Sequence, residues 1–185
     1  MLIFNLESLR IKMAFRNRNI RQGTKSSDPD LILEKIRYFC SYRERSETEV
    51  WQKLRAMQLP AAKICNILGQ LKEEGFISDE RFARAFVRGK WRVNHWGRVK
   101  ITFGLRGMRI PEKLIVFALE EIDDNAYRNI LEELIRKKSA KLRPKQGEKN
   151  NSGKTLNFRD KLFNFALGKG YEYDLIREIL DELKI

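Results

Sequence analysis

From Leu31 onward, apolar residues recur at three- and four-residue spacing, the period of a helix with one buried face. Leu33, Ile36, Tyr38, Phe39 and Cys40 mark a first helix. Ser46 followed by Glu49 is a capping box for a second, carried by Val50, Leu54 and Met57 and ended at Leu59-Pro60. Ile64, Ile67, Leu68 and Leu71 make a third, stopped at Gly75 as a left-handed cap. The pattern then repeats. Val50, Leu54, Leu59, Ile64, Ile67, Leu68 and Leu71 recur 51 residues later as Ile101, Leu105, Ile110, Ile115, Ala118, Leu119 and Ile122, and Pro60 recurs as Pro111. A further 61 residues on, the same positions hold Leu162, Ala166, Tyr171, Ile176, Ile179, Leu180 and Leu183.

The second copy starts at Ser78-Asp79 and predicts helices near 79–94, 97–108 and 111–122; the third starts near Asp123-Asp124, with Ile130, Leu131, Leu134 and Ile135 on its first helix. No stretch alternates like a strand. The expected fold is all-α: three tandem three-helix repeat units, 31–77, 78–122 and 123–185, stacked into an elongated, curved array. Residues 1–30 read as a flexible basic arm ahead of it. The ten extra residues of the third offset fall in a basic loop over 142–154, where Pro144, Gly147, Asn150 and Gly153 break the period. Stacked repeats without a pocket present surfaces, which favours a binding protein over an enzyme.

Charge sharpens that reading. The 185 residues carry a formal net charge of +13. Asp79 to Lys113 holds ten Lys/Arg against three acids and Arg136 to Lys161 ten against two, so the excess is regional and acidic partners are favoured, nucleic acid first. Cys40 and Cys65, both placed on apolar helix faces, make no disulfide framework and fit a reducing cytoplasm. No apolar run is long enough to cross a membrane. Met1 to Arg21 lacks the apolar block of a secretory signal and reads as a basic arm, in preference to an organellar transit peptide.

The most pointed pattern is the helix from Asp79. At 100° per residue Arg81, Arg84, Arg88 and Arg92 share an arc of about 80°, opposite Phe82, Ala83, Phe86, Val87 and Val93. On the next helix Arg98, Thr102, Arg106 and Arg109 cluster opposite Ile101, Leu105 and Met108, with Lys100 alongside. Four arginines with hardly a balancing carboxylate nearby in sequence repel one another until an anion relieves them. Trp91 and Trp96 are assigned to packing and His95 to a loop or cap. One histidine cannot build a triad or a His-based metal set. Gly153-Lys154-Thr155 fails as a phosphate loop, because Glu148 stands where the first glycine belongs and no strand precedes it. Glu73-Glu74, Glu120-Glu121 and Asp123-Asp124 lie at helix boundaries and face solvent in this reading.

Phe76-Ile77-Ser78-Asp79-Glu80-Arg81-Phe82-Ala83, then Phe86-Val87-Arg88, and Trp96-Gly97 with Ile101 and Leu105 resemble the signature of the RecX regulatory proteins of bacteria, in the second of three units. Where that family often carries glycine in the turn after the second helix of a unit, this chain has Gln58 and Arg109, and keeps Gly170 in the third. The resemblance implies a cytoplasmic, non-enzymatic regulator that binds the RecA recombinase filament on single-stranded DNA and modulates it, typically by inhibition; double-stranded DNA stays open as a further partner, and a monomer without cofactor or metal is expected. Arg81, Arg84, Arg88, Arg92, Arg98, Lys100, Arg106 and Arg109 would then face RecA or DNA phosphates. Phe82, Phe86, Trp96, Ile101 and Leu105 would hold the signature unit together. The alternative is a stand-alone helical repeat protein that binds nucleic acid without sequence choice.

Overall fold

The computed structural model describes residues 29–142 and 158–185. Nine α-helices run through them, with no strand among the described residues: α1 Pro29–Tyr42, α2 Glu47–Ala56, α3 Ala61–Glu73, α4 Asp79–Arg92, α5 Arg98–Gly107, α6 Glu112–Leu119, α7 Asp124–Leu142, α8 Phe158–Lys169 and α9 Tyr173–Glu182. The fold is an all-α helical repeat. The expected arm over 1–30 and the loop over 142–154 lie outside the described residues except at their borders.

Contacts divide the chain into two compact units, Met1–Phe82 and Ala83–Ile185, where the sequence repeat predicts three. In the first unit Ile32, Ile36 and Cys40 of α1 pack with Val50 and Leu54 of α2, Ile64, Leu68 and Leu71 of α3, and Ile77 beyond it. The capping box forms as the sequence predicts. The Glu49 N–H donates to Ser46 Oγ at 3.1 Å and the Ser46 N–H to Glu49 Oε2 at 3.3 Å, two otherwise orphaned donors answered at once. α3 ends at Gly75, which adopts φ +73°; its N–H donates to the Lys72 carbonyl and that of Phe76 to the Leu71 carbonyl, so the chain folds back and buries Ile77. Burial pushes the Cys40 thiol up to about 11, so it stays protonated. Cys65 differs from expectation: it stands on the exposed side of α3, one residue past the buried Ile64.

The turn after the second helix of each repeat has the same form at the predicted offsets. Gln58 at φ +62°, Arg109 at +59° and Gly170 at +88° all sit in the left-handed region. The residues that open the next helices, Pro60, Pro111 and Glu172, are all extended, with ψ between 139° and 146°. A side chain at positive φ carries strain of about 1 kcal/mol, part of which glycine would return as unfolded-chain entropy. Gln58→Gly is therefore expected to raise the unfolding midpoint by a few degrees at most, measured by thermal melting. A lowered midpoint would show that the Gln58 side chain makes a contact that outweighs the strain.

In the second unit Trp91 of α4, Ile101 and Leu105 of α5, Ile115 and Ala118 of α6, Tyr127, Leu131 and Ile135 of α7, Leu162 and Ala166 of α8, and Ile176, Ile179 and Leu180 of α9 are all buried. The second and third sequence repeats thus share one compact unit, and the reason lies at the start of α5.

Candidate interaction surface

α5 begins at Gly97 with no side-chain cap. Its first three N–H groups are satisfied by other helices: Gly97 donates to the Lys169 carbonyl at 2.9 Å, Val99 to the Gly170 carbonyl at 3.1 Å, and Arg98 to the Tyr127 hydroxyl at 2.8 Å. The carboxyl end of α8 therefore caps the amino end of α5, and the opposed ends of the two helix dipoles attract. Such contact needs backbone against backbone. A Cβ on Gly97 would stand 2.1 Å from the Gly170 carbonyl oxygen, and one on Gly170 would stand 2.2 Å from Lys100 Cβ. Gly97, singled out in the sequence beside Trp96, is thus a docking point of the scaffold, as is Gly170.

Tyr127 locks this junction. It is 1% exposed, and its hydroxyl donates to Glu172 Oε2 at 2.8 Å while accepting from the Arg98 backbone. Its ring lies 4.9 Å from that of the equally buried Tyr171 and under the Arg98 guanidinium at 4.3 Å. Burial, more than any neighbouring charge, pushes both phenols well above the usual tyrosine range.

Against this frame the basic residues separate into engaged and unengaged. Arg81 lies in the first unit, donating to Glu44 Oε1 at 3.1 Å and to the Gly75 carbonyl at 2.6 Å. Arg84 and Arg88 converge on one carboxylate, Glu121 at the end of α6, at 2.7 and 3.0 Å. Arg84 also lies 4.2 Å over the Phe117 ring. The repulsion expected along α4 is therefore relieved within the molecule at Arg81, Arg84 and Arg88. Glu121 stands more than thirty residues away, and a reading of Glu120-Glu121 as solvated helix-end acids misses it. Arg98 pairs with Asp124 and approaches Glu172 at 3.9 Å. Lys100 donates to the Gly168 carbonyl at 3.1 Å, capping α8 further. Arg106 holds Glu112 through two hydrogen bonds of 3.0 and 2.7 Å, which keep the Glu112 carboxyl below the usual carboxylate range.

Arg92 and Arg109 remain. Both are exposed and neither meets a carboxylate among the described residues, although Arg92 lies 5.5 Å over the Trp91 ring. α5 also exposes two apolar residues, Val99 and the 79% exposed Phe103. Of the residues assigned to the signature core, Phe82, Ile101 and Leu105 are buried, while Phe86 and Trp96 are half-buried. Lys90 covers the Phe86 and Trp96 rings at 5.1 and 4.7 Å, and Lys100 covers Trp96 at 4.8 Å. Trp91, by contrast, is buried in the unit. His95 takes φ +53° in the turn after α4.

Residues 78–119, which contain α4 to α6, match the family model described as RecX, second three-helix domain. The chain is 28% identical over 141 residues to the regulatory protein RecX of Clostridium acetobutylicum, a match covering 75% of this chain and 62% of that protein. It is 30% identical over 157 residues to the RecX of Bacillus cytotoxicus, covering 82% and 53%. The chain thus spans between half and two thirds of the length of these relatives. In fold it is similar to the crystal structure of RecX from Lactobacillus salivarius, with a TM-score of 0.70 and 23% identity over 86% of this chain and 98% of that one.

Proposed function

The chain belongs to the RecX family, and on that premise we propose that it modulates the RecA recombinase by binding its filament on single-stranded DNA, most simply as an inhibitor. The observation that carries the reading is the charge pattern of the matched domain. Its arginines exceed the internal carboxylates that could hold them, and Arg92 and Arg109 keep their charge available to an anionic partner. Arg84, Arg88, Arg98 and Arg106 then contribute field more than direct contact, since each is already held by Glu121, Asp124 or Glu112. Arg81, tied to Glu44, stands outside the contact set. Binding needs no cofactor, because competition for filament contacts is enough to change RecA's ATP hydrolysis.

The test is co-sedimentation with RecA filaments on single-stranded DNA, beside RecA alone and DNA alone, together with RecA-driven ATP hydrolysis. Capture by filaments with slowed hydrolysis is the expected result. Binding that needs no RecA and falls log-linearly with salt would favour the stand-alone nucleic-acid binder instead. Within this reading Arg92→Glu with Arg109→Glu is expected to weaken filament binding about tenfold at unchanged helicity. Unchanged binding would remove both residues from the interface. Reversing Arg84 or Arg88 is a poorer probe, because the new carboxylate would face Glu121 and loosen α4 from α6.

A further inference from the structure

The three repeats treat one site in three ways. In the second repeat the turn between α5 and α6 is bridged by Arg106 and Glu112, hydrogen-bonded twice. Sixty-one residues on, those positions hold Leu167 and Tyr173, and the bridge is replaced by an edge-to-face contact between Phe163 and Tyr173 with ring centroids 4.9 Å apart. Fifty-one residues earlier they hold Arg55 and Ala61. The arginine is kept, the carboxylate is missing, and among the described residues no other takes its place. What stands there is a hollow of about 370 Å³ lined by Trp51, Arg55, Gln58, Leu59, Ala61 and Ile64.

An exposed guanidinium beside an apolar floor suits a carboxylate on a short aliphatic stem, since the head can take the planar fork while the stem covers Trp51 and Leu59. Glu112 shows what fits, because it satisfies the equivalent arginine inside the same chain. A nucleic-acid phosphate would satisfy the charge but leave the apolar floor open. We propose that the hollow between α2 and α3 of the first repeat is a docking site for an acidic side chain of a partner protein, which occupies the place that Glu112 holds in the second repeat. Where that partner is RecA, the inference rests on the function proposed above; the site itself does not.

Ala61→Glu tests it in the full chain by restoring the internal carboxylate, with Gln70→Glu, exposed on α3 more than two turns from Ala61, as a control of equal charge. Poly-L-glutamate titrated against wild type is expected to move the Trp51 indole N–H resonance saturably. Ala61→Glu should abolish that movement while melting no lower than wild type, and Gln70→Glu should retain it. With RecA filaments on single-stranded DNA, Ala61→Glu should bind at least tenfold more weakly and Gln70→Glu within about twofold of wild type. An equal response of Ala61→Glu and wild type to polyglutamate would overturn the proposal. So would a Trp51 movement produced by single-stranded DNA and not by polyglutamate. Wild type that fails to bind filaments but keeps the Ala61-dependent response would sink the RecA reading and leave the acidic-partner site standing.

Discussion

Gly97→Ala is expected to destabilise the protein by roughly 3 kcal/mol or more, lowering the melting temperature by about 6–12 °C. The added methyl would meet the Gly170 carbonyl at 2.1 Å and the Tyr171 nitrogen at 2.4 Å, and these are backbone atoms that cannot swing aside. α5 would have to lift from α8, giving up the bonds from Gly97 and Val99 and loosening Arg98 from Tyr127. Gly89→Ala is the matched control. It lies inside α4 with nothing within 4 Å of an added Cβ, so the same chemical change should stabilise by about 0.5–1 kcal/mol. Urea or thermal unfolding of the two variants separates the cases. If Gly97→Ala melts with wild type, the α8-to-α5 cap is not what joins the second and third repeats.

Tyr127→Phe is expected to cost about 2–3 kcal/mol for the loss of a single oxygen, because that oxygen serves two partners. Glu172 loses the hydrogen bond donated to its carboxylate and the Arg98 N–H is left buried without an acceptor. The same substitution carries a pH signature. Burial raises the Tyr127 phenol above its unfolded value of about 10, so its protonated form stabilises the fold fully below that pH, and the contribution is lost as pH rises above it. Wild type should therefore lose stability steeply in alkali, whereas Tyr127→Phe starts lower at neutral pH and falls less steeply. Tyr171, raised in the same direction, keeps some slope in the variant. Parallel pH–stability curves for the two proteins would mean that Tyr127 ionises in the folded state as it does unfolded.

Charge counting along α4 finds Arg81, Arg84, Arg88 and Arg92 as one ridge, but the structure splits them between Glu44, Glu121 and solvent. Arginine density in a sequence therefore overstates the charge a partner meets. Among the arginines assigned to the surface, Arg92 and Arg109, which meet no carboxylate among the described residues, most directly test binding, and Arg55 in the first repeat joins them for the same reason.

Helix positions, the capping box at Ser46, the left-handed cap at Gly75 and the three equivalent turns at residues 58, 109 and 170 follow from the sequence alone, because each depends on groups within a few residues of one another. The resemblance to RecX is legible there too, since it rests on residue order. The union of the second and third repeats in one unit was not, nor was the pairing of Arg84 and Arg88 with Glu121, nor the double use of the Tyr127 hydroxyl. These depend on groups 29 to 75 residues apart, such as Arg98 with Tyr127 and Lys169 with Asn94, meeting where helix ends and faces pack. Local periodicity determines which face of each helix is buried, whereas only tertiary packing decides which charges are neutralised and which are left for a partner.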